Sequence, residues 1–408
     1  MDVYLTPLAE DCPDVLFGSK FADIEALARG DKDRLRPVIS PAARRRLGAA
    51  PKPGRQVALI IGGNGFVGAH LAARLSRTQG VERVLATVRP RPDKSPWQRM
   101  EDTWAEFCVT DIDRDKIELI TCSPTDARLG FSEADYATLS QEVDQVFNCA
   151  STTDYSIPYL DLRNDWTIGL LRILQFCLDG KIKRLSYLGS VGGFFYTQPE
   201  DFRRPDSWWY SGYCQMKWVN AQLTQWLGAV EGLPVTLVET PYVLGSTRVG
   251  KDPGRHYSWW RIIEVARAIG YVWDGPGMNY CPVDILVEAL LQNALGEAPM
   301  TQMLPCNPHA FDMELIADLL GLQIVSYDRF MAETEARVSP RRYRQVLSSN
   351  FDELVRRTNR PARLPEGLDT GWCDNRRLFD LYLRHVDFRD IGRTPTAALR
   401  QSASTRVS

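Results

Sequence analysis

The chain has 408 residues, 44% of them hydrophobic and 25% charged, with 49 Lys and Arg against 51 Asp and Glu and a net charge of −2. This composition excludes a collagen-like or intrinsically disordered chain, and the near-neutral balance excludes a general nucleic-acid binder, whose domain would be strongly basic. At about 150 residues per domain, the length predicts two or three folding units.

Residues 1–54 show weak periodicity, carry Arg44-Arg45-Arg46, and end in the breaker-rich Ala49-Ala50-Pro51-Lys52-Pro53-Gly54, so they read as an N-terminal extension and linker. Val57-Ala58-Leu59-Ile60-Ile61 follows as a short continuous apolar run, the pattern of a strand buried on both faces of a parallel sheet. Glycines come next, then Val67, Leu71 and Leu75 at helical spacing, then Val84 to Val88 as a second strand. Further apolar runs at Ile117–Ile120, Val143–Cys149, Leu185–Gly189 and Val235–Val238 alternate with helical patterns at Ile168–Leu178 and Val219–Leu227. Alternation of this kind predicts an α/β fold with a Rossmann-type doubly wound parallel sheet over 55–240 and a returning segment near 275–300. Residues 241–274 and 301–392 are less regular and rich in Trp and Arg, which predicts a smaller, mostly helical C-terminal subdomain; 393–408 reads as a flexible tail.

The opening residues carry Glu10, Asp11 and Asp14 and no basic leader before an apolar run, and no stretch approaches the roughly 20 apolar residues of a membrane span. The expectation is a cytoplasmic protein without membrane or nucleic-acid partners. Nine cysteines, odd in number and without a Cys-x-x-Cys pair, read as reduced thiols. Four histidines without a His-Glu-x-x-His or Cys/His cluster predict no metal site.

Gly62-Gly63-Asn64-Gly65-Phe66-Val67-Gly68 stands between the first strand and its helix. Glycines at that junction allow a tight turn, bring backbone N–H groups to a pyrophosphate at the helix N-terminus, and let helix and sheet pack closely. The loop therefore predicts a dinucleotide site. A fold that prefers NAD places an acidic residue at the end of the second strand, whereas Thr87-Val88-Arg89-Pro90-Arg91 places two guanidinium groups there, suited to a 2′-phosphate. NADPH is the expected cofactor, with Arg89 and Arg91 as its phosphate ligands and Lys94 in support.

Tyr213 and Lys217 stand four residues apart at the start of a helix, on one face. An ammonium beside the phenol is expected to lower the tyrosine pKa from near 10 toward neutrality, the property wanted of a proton donor to a carbonyl oxygen receiving hydride. Upstream, Leu185-Ser186-Tyr187-Leu188-Gly189-Ser190 delivers the Ser190 hydroxyl at the C-terminal end of a strand, where open α/β sheets bind ligands. Ser190 is the candidate donor to a developing oxyanion.

These residues resemble the extended short-chain dehydrogenase/reductases, and within them the thioester reductase domains that release products from nonribosomal peptide and polyketide assembly lines and from carboxylic acid reductases. The resemblance covers roughly residues 56–295 and rests on Ile61–Gly68, on Tyr187-Leu188-Gly189-Ser190, and above all on Gly212-Tyr213-Cys214-Gln215-Met216-Lys217-Trp218. Weaker echoes are Arg128-Leu129-Gly130, Pro241-Tyr242-Val243-Leu244-Gly245 and Pro282-Val283-Asp284. It implies that Ser190, Tyr213 and Lys217 are catalytic, and that Ser123, Cys149, Ala150, Pro241, Tyr242 and Val243 join the glycine loop in holding the cofactor. The implied reaction is NADPH-dependent reduction of an acyl thioester to an aldehyde, and possible continuation to the alcohol. The acyl group would arrive on the phosphopantetheine arm of a carrier protein or as a coenzyme A ester. Three positions depart from the family pattern: Cys122-Ser123 replaces Gly-Asp after the third strand, Trp166 replaces an Asn, and Thr240 replaces an Arg.

Two rival readings share these residues: a carbonyl reductase acting on a free ketone or aldehyde, and a non-redox module, either a nucleotide sensor or a reductase-like cyclase. Aromatic clusters at Phe194-Phe195-Tyr196, Trp208-Trp209-Tyr210 and Tyr257, Trp259, Trp260 and Trp273 read either as walls of an acyl pocket or as core. Arg341, Arg342, Arg344, Arg356 and Arg357 read as a face for an acidic carrier or as solvated helix surface.

Overall fold

The computed structural model describes residues 3–4, 21–47, 56–154, 157–193, 212–254, 258–338, 355–356 and 359–388. The chain divides into two units. The first comprises Met1–Asp252, Asn279–Pro308 and Arg360–Trp372; the second comprises Pro253–Met278, His309–Asn359 and Cys373–Ser408.

The first unit is built on seven parallel strands: β1 (Gln56–Ile61), β2 (Val81–Thr87), β3 (Ile117–Ile120), β4 (Gln145–Asn148), β5 (Arg184–Leu188), β6 (Val235–Val238) and β7 (Gln302–Met303). Their spatial order is β7-β6-β5-β4-β1-β2-β3. All neighbours pair in parallel, so each connection crosses over the sheet, and helices cover its faces. That is why β1 and β4 are apolar without alternation: Leu59, Ile60 and Phe147 are fully buried. The strand order reverses between β1 and β4, where Ile61 pairs with Asn148, and a doubly wound sheet opens a ligand crevice at such a point.

The helices of this unit are α1 (Phe21–Arg34), α2 (Pro41–Leu47), α3 (Phe66–Ser76), α4 (Pro96–Glu106), α5 (Glu133–Glu142), α6 (Tyr159–Leu162), α7 (Gly169–Leu178), α8 (Gly212–Ala229) and α9 (Val283–Leu295). Between α6 and α7 the segment Arg163–Ile168 is a π-helical turn. α4 starts where the sequence stops it fraying: Ser95 accepts from Gln98 N–H, Gln98 returns the bond, and Pro96 occupies the first turn.

Several boundaries differ from the sequence expectation. Residues 301–308, which supply β7, and 360–372, expected in the C-terminal subdomain, belong to the first unit, because Gln302–Met303 pairs with β6 and Leu304 is bridged to Arg363. Residues 21–47 are not a linker: α1 and α2 bury Leu27, Ala28, Ala43 and Leu47 and belong to the first unit. Their periodicity is weak because the apolar stripe is interrupted by a buried acid, Asp31. Residues 241–252 also stay with the first unit, because Tyr242–Leu244 pairs in parallel with Tyr280–Pro282.

The second unit has helices Ser258–Ile269, Met313–Leu320, Tyr327–Arg337 and Asn375–Leu383, with Tyr271–Trp273 paired in parallel to Gln323–Val325. Trp259 meets Phe311 and Phe379 edge-on, and Trp273 packs on Phe330 and Tyr327. Trp259, Trp260 and Trp273 are thus core of this unit. Residues 194–196, 208–210 and 257, the arginines at 341, 342, 344 and 357, and the expected tail lie outside the described residues.

Candidate active site

The glycine loop takes its shape from the space that side chains would otherwise fill. Gly62 has φ +85°, and a Cβ there would stand 2.8 Å from Ala150 N. Its N–H donates to Thr87 Oγ1 at 2.9 Å, while Gly65 N–H donates back to Gly62 O at 3.0 Å. A Cβ on Gly68 would stand 2.1 Å from Gly62 O, so α3 rests directly on the loop. Gly62, Asn64 and Gly65 face a cleft of about 880 Å³. Gly63 and Gly68 act through packing instead, and Phe66 and Val67 turn inward, Phe66 onto Phe107 with ring centres 4.7 Å apart.

Ser123, Cys149, Ala150 and Lys217 all reach the wall of this cleft at the C-terminal ends of the strands. Pro241, Tyr242 and Val243 do not line it; Tyr242–Leu244 is the strand beside Tyr280–Pro282. The two arginines expected at the phosphate end separate. Arg89 lines the cleft, with its guanidinium 6.0 Å from the Trp166 ring centre. Arg91 is exposed and ion-paired to Asp93 at 3.0 Å, and Lys94 to Asp102 at 2.6 Å, so neither faces the cleft. The second guanidinium on the wall is Arg99, in the first turns of α4, donating to the backbone carbonyl of Arg89. Among the described residues neither Arg89 nor Arg99 is ion-paired to a carboxylate. Sequence reasoning missed Arg99, although the Ser95-Pro96 helix start placed it one turn in.

The three departures acquire local explanations. Ser123 Oγ lies 2.9 Å from Thr125 Oγ1, and Ser123 N–H donates to Leu129 O across a turn in which Arg128 and Leu129 are left-handed. Trp166 sits on the π-turn at the cleft wall, and its carbonyl accepts from Asn220 Nδ2 at 3.2 Å. Asn220, one turn beyond Lys217 and also on the wall, was not foreseen. Thr240 Oγ1 donates to Gly189 O at 2.7 Å and Val191 N–H donates to Thr240 O, which anchors the strand end that presents Ser190.

Ser190, Tyr213 and Lys217 come together beside the cleft. Ser190 Oγ accepts from Gly192 N–H at 3.0 Å and is hydrogen-bonded to the Tyr213 phenol. Lys217 Nζ donates to Leu188 O at 2.8 Å and lies 5.5 Å from the Tyr187 ring centre and 5.8 Å from that of Tyr213. Burial sets the protonation of both. It drives the Tyr213 phenol well above its ordinary value, with the Ser190 hydrogen bond working against the rise. It pulls Lys217 down to about 7, with Cys149 opposing. The phenol is therefore raised rather than lowered as the sequence led us to expect, and the group that opposes the rise is Ser190 rather than Lys217. Burial also drives the Cys149 thiol up, to about 12. Eight described cysteines form no disulfide, and no group of three metal-ligating side chains occurs among the described residues.

A family model described as male sterility protein, a nicotinamide-dinucleotide-binding family, matches residues 60–290. The chain belongs to that family. The matched span runs from the end of β1 into α9 and contains the glycine loop, Arg89, Ser190, Tyr213 and Lys217. The chain is 29% identical over 266 residues to the isonitrile lipopeptide synthase of Streptomyces coeruleorubidus, covering 62% of this chain and 17% of that protein. It is 26% identical over 275 residues to the carboxylic acid reductase of Segniliparus rugosus, covering 59% and 23%. The chain therefore spans less than a quarter of the length of either. Its fold is similar to that of the terminal R domain of the myxalamid biosynthetic pathway, at TM-score 0.70 and 20% identity over 89% of this chain and 97% of that one. The reductase domain of a Mycobacterium tuberculosis nonribosomal peptide synthetase has TM-score 0.62 at 18% identity, over 88% and 97%. The α/β fold with a Rossmann-type doubly wound parallel sheet expected from the sequence is the fold observed. The cleft fits the family's dinucleotide: Gly62 and Gly65 of the tight glycine loop line it, and Arg89, Arg99 and Lys217 supply cationic groups along it. Among the described residues no helix is long and apolar enough to cross a membrane.

Proposed function

We propose that the protein is an NADPH-dependent reductase that converts an acyl thioester to an aldehyde, the acyl group being carried by the phosphopantetheine of a carrier protein or by coenzyme A. The observation that carries this reading is the convergence of Ser190, Tyr213 and Lys217 beside a glycine-lined cleft that Arg89 and Arg99 also face. Arg89 and Arg99 favour a 2′-phosphate, since two guanidinium groups without a carboxylate partner suit a phosphate dianion and no acid stands at the end of β2 to accept from a free ribose.

When bound, the reduced nicotinamide supplies hydride. Everything else falls to the chain. Tyr213 holds its proton at neutral pH because burial disfavours the phenolate, so it is poised as an acid toward an oxygen gaining charge. Ser190 stands as its hydrogen-bonded companion and a second donor to that oxygen. Lys217 bridges from the Leu188 carbonyl to the cleft, where its charged form is favoured by an anionic ligand. Departure of the thiol from the resulting hemithioacetal returns the carbonyl as an aldehyde.

The test is to incubate the protein with NADPH and an acyl-pantetheine thioester and trap the product as a hydrazone. An aldehyde hydrazone of the acyl group is expected. Turnover of free aldehydes or ketones alone would replace this reading with that of a carbonyl reductase.

A further inference from the structure

The segment upstream of the glycine loop packs behind elements that lead into the cleft. α1 packs against both α8 and α6. Near its C-terminal end Asp31 is fully buried, and its carboxylate accepts from Tyr159 Oη at 2.8 Å and pairs with Arg163 through Nε at 2.6 Å and a second nitrogen at 3.2 Å. A carboxylate so buried is tolerable only when paired and hydrogen-bonded, and its directional bonds specify one docking register in a way that apolar contact alone does not.

Both partners belong to the stretch that leads directly into the wall at Asp165 and Trp166. Tyr159 opens α6, and Arg163 opens the π-turn that carries Asp165 and Trp166 into the cleft. A π-turn is rare and commonly marks a functional site, so outside contacts have a larger share in placing it than they have in a regular helix. The same stretch seats the catalytic helix: a Cβ on Gly212 would stand 2.3 Å from both Ile157 O and Tyr159 N, so the residue before Tyr213 lies directly on the backbone that Asp31 clamps. From the other side Arg29 places its guanidinium 5.8 Å from the ring centre of Trp218, next to Lys217.

We infer that Asp31 is a positioning residue for the active site: through Tyr159 and Arg163 it fixes the π-turn wall of the dinucleotide cleft and the seat of Tyr213. α1 is then a working part of the site. The inference deepens the proposed function and rests on it for the identity of the ligand.

The test uses the full chain carrying Asp31→Asn. Amide hydrogen exchange is followed in the ligand-free protein over 159–168 and over β1, and NADPH affinity is measured by fluorescence titration. Exchange about tenfold faster over 159–168, unchanged over β1, with about tenfold weaker NADPH binding, is expected from leaving Arg163 without its carboxylate. Unchanged exchange over 159–168 overturns the inference. So does faster exchange with wild-type NADPH affinity, which would make Asp31 merely structural. Tyr159→Phe, which keeps the ion pair and deletes one hydrogen bond, gives the same two readouts if Asp31→Asn does not fold; shifts of about two- to fivefold in both are expected, and no shift in either overturns the inference. If the wild-type protein binds neither NADPH nor NADH, the proposed function fails, while exchange over 159–168 still decides whether Asp31 holds the wall.

Discussion

Lys217 Nζ lies 5.8 Å from the centre of the Tyr213 ring and gives a hydrogen bond to Leu188 O at 2.8 Å. The two residues share a helical face as their spacing requires, yet each is held away from its charged form by burial. Burial keeps the phenol protonated and pulls the amine down to about 7.

Cofactor binding is therefore expected to be proton-linked. Burial pulls Lys217 down to about 7, and an anionic dinucleotide in the cleft that it lines is expected to favour its charged form and raise that value. At pH 8 the free protein has lost most of this proton, so binding takes one up, and affinity falls as pH rises through about 7 and beyond. Titration calorimetry in buffers of different ionisation enthalpy should show uptake of nearly one proton per NADPH at pH 8, and Lys217→Met should abolish it.

Removing the acid should separate chemistry from binding. Tyr213→Phe keeps the ring in place and removes the hydroxyl that bonds Ser190, so kcat should fall by about 10²–10⁴-fold while NADPH affinity changes little. Ser190→Ala should lower kcat by a smaller factor, since one of two donors remains. Single-turnover rates beside equilibrium titrations check both.

Cofactor choice should follow the cleft-facing arginines. Arg89→Ala and Arg99→Ala should each weaken NADPH by about 10–100-fold, as expected for a charge-assisted contact, and leave NADH within about twofold. Arg91→Ala should change neither, because its guanidinium is paired to Asp93. Paired affinity measurements with the two cofactors decide this.

Gly68→Ala tests the loop as a packed object. The added methyl would meet Gly62 O at 2.1 Å, and overpacking of this kind costs about 1–3 kcal/mol. Urea denaturation should show that loss, and NADPH binding should weaken with it, because the loop that must shift is the one facing the cleft.

The sequence carried the sheet and the loop legibly because both depend on local pattern. β1 is a run of apolar residues broken at once by glycines, and no other element produces that pattern beside a helical repeat. Arg91 is near the end of β2 in sequence but not on the cleft, because Asp93, two residues on, pairs with it at the surface. α1 was obscure for a different reason: its buried acid, Asp31, finds Tyr159 and Arg163 more than a hundred positions away, and no periodicity reports such a partner. The protonation of Tyr213 was likewise out of reach, since spacing places two residues on a face but says nothing of how dry that face is.

The most direct test of the central claim follows NADPH absorbance and free thiol together in one reaction with an acyl-pantetheine thioester. One thiol released for the first NADPH oxidised, with both signals lost in Tyr213→Phe, is the predicted result. NADPH binding without thiol release would contradict it.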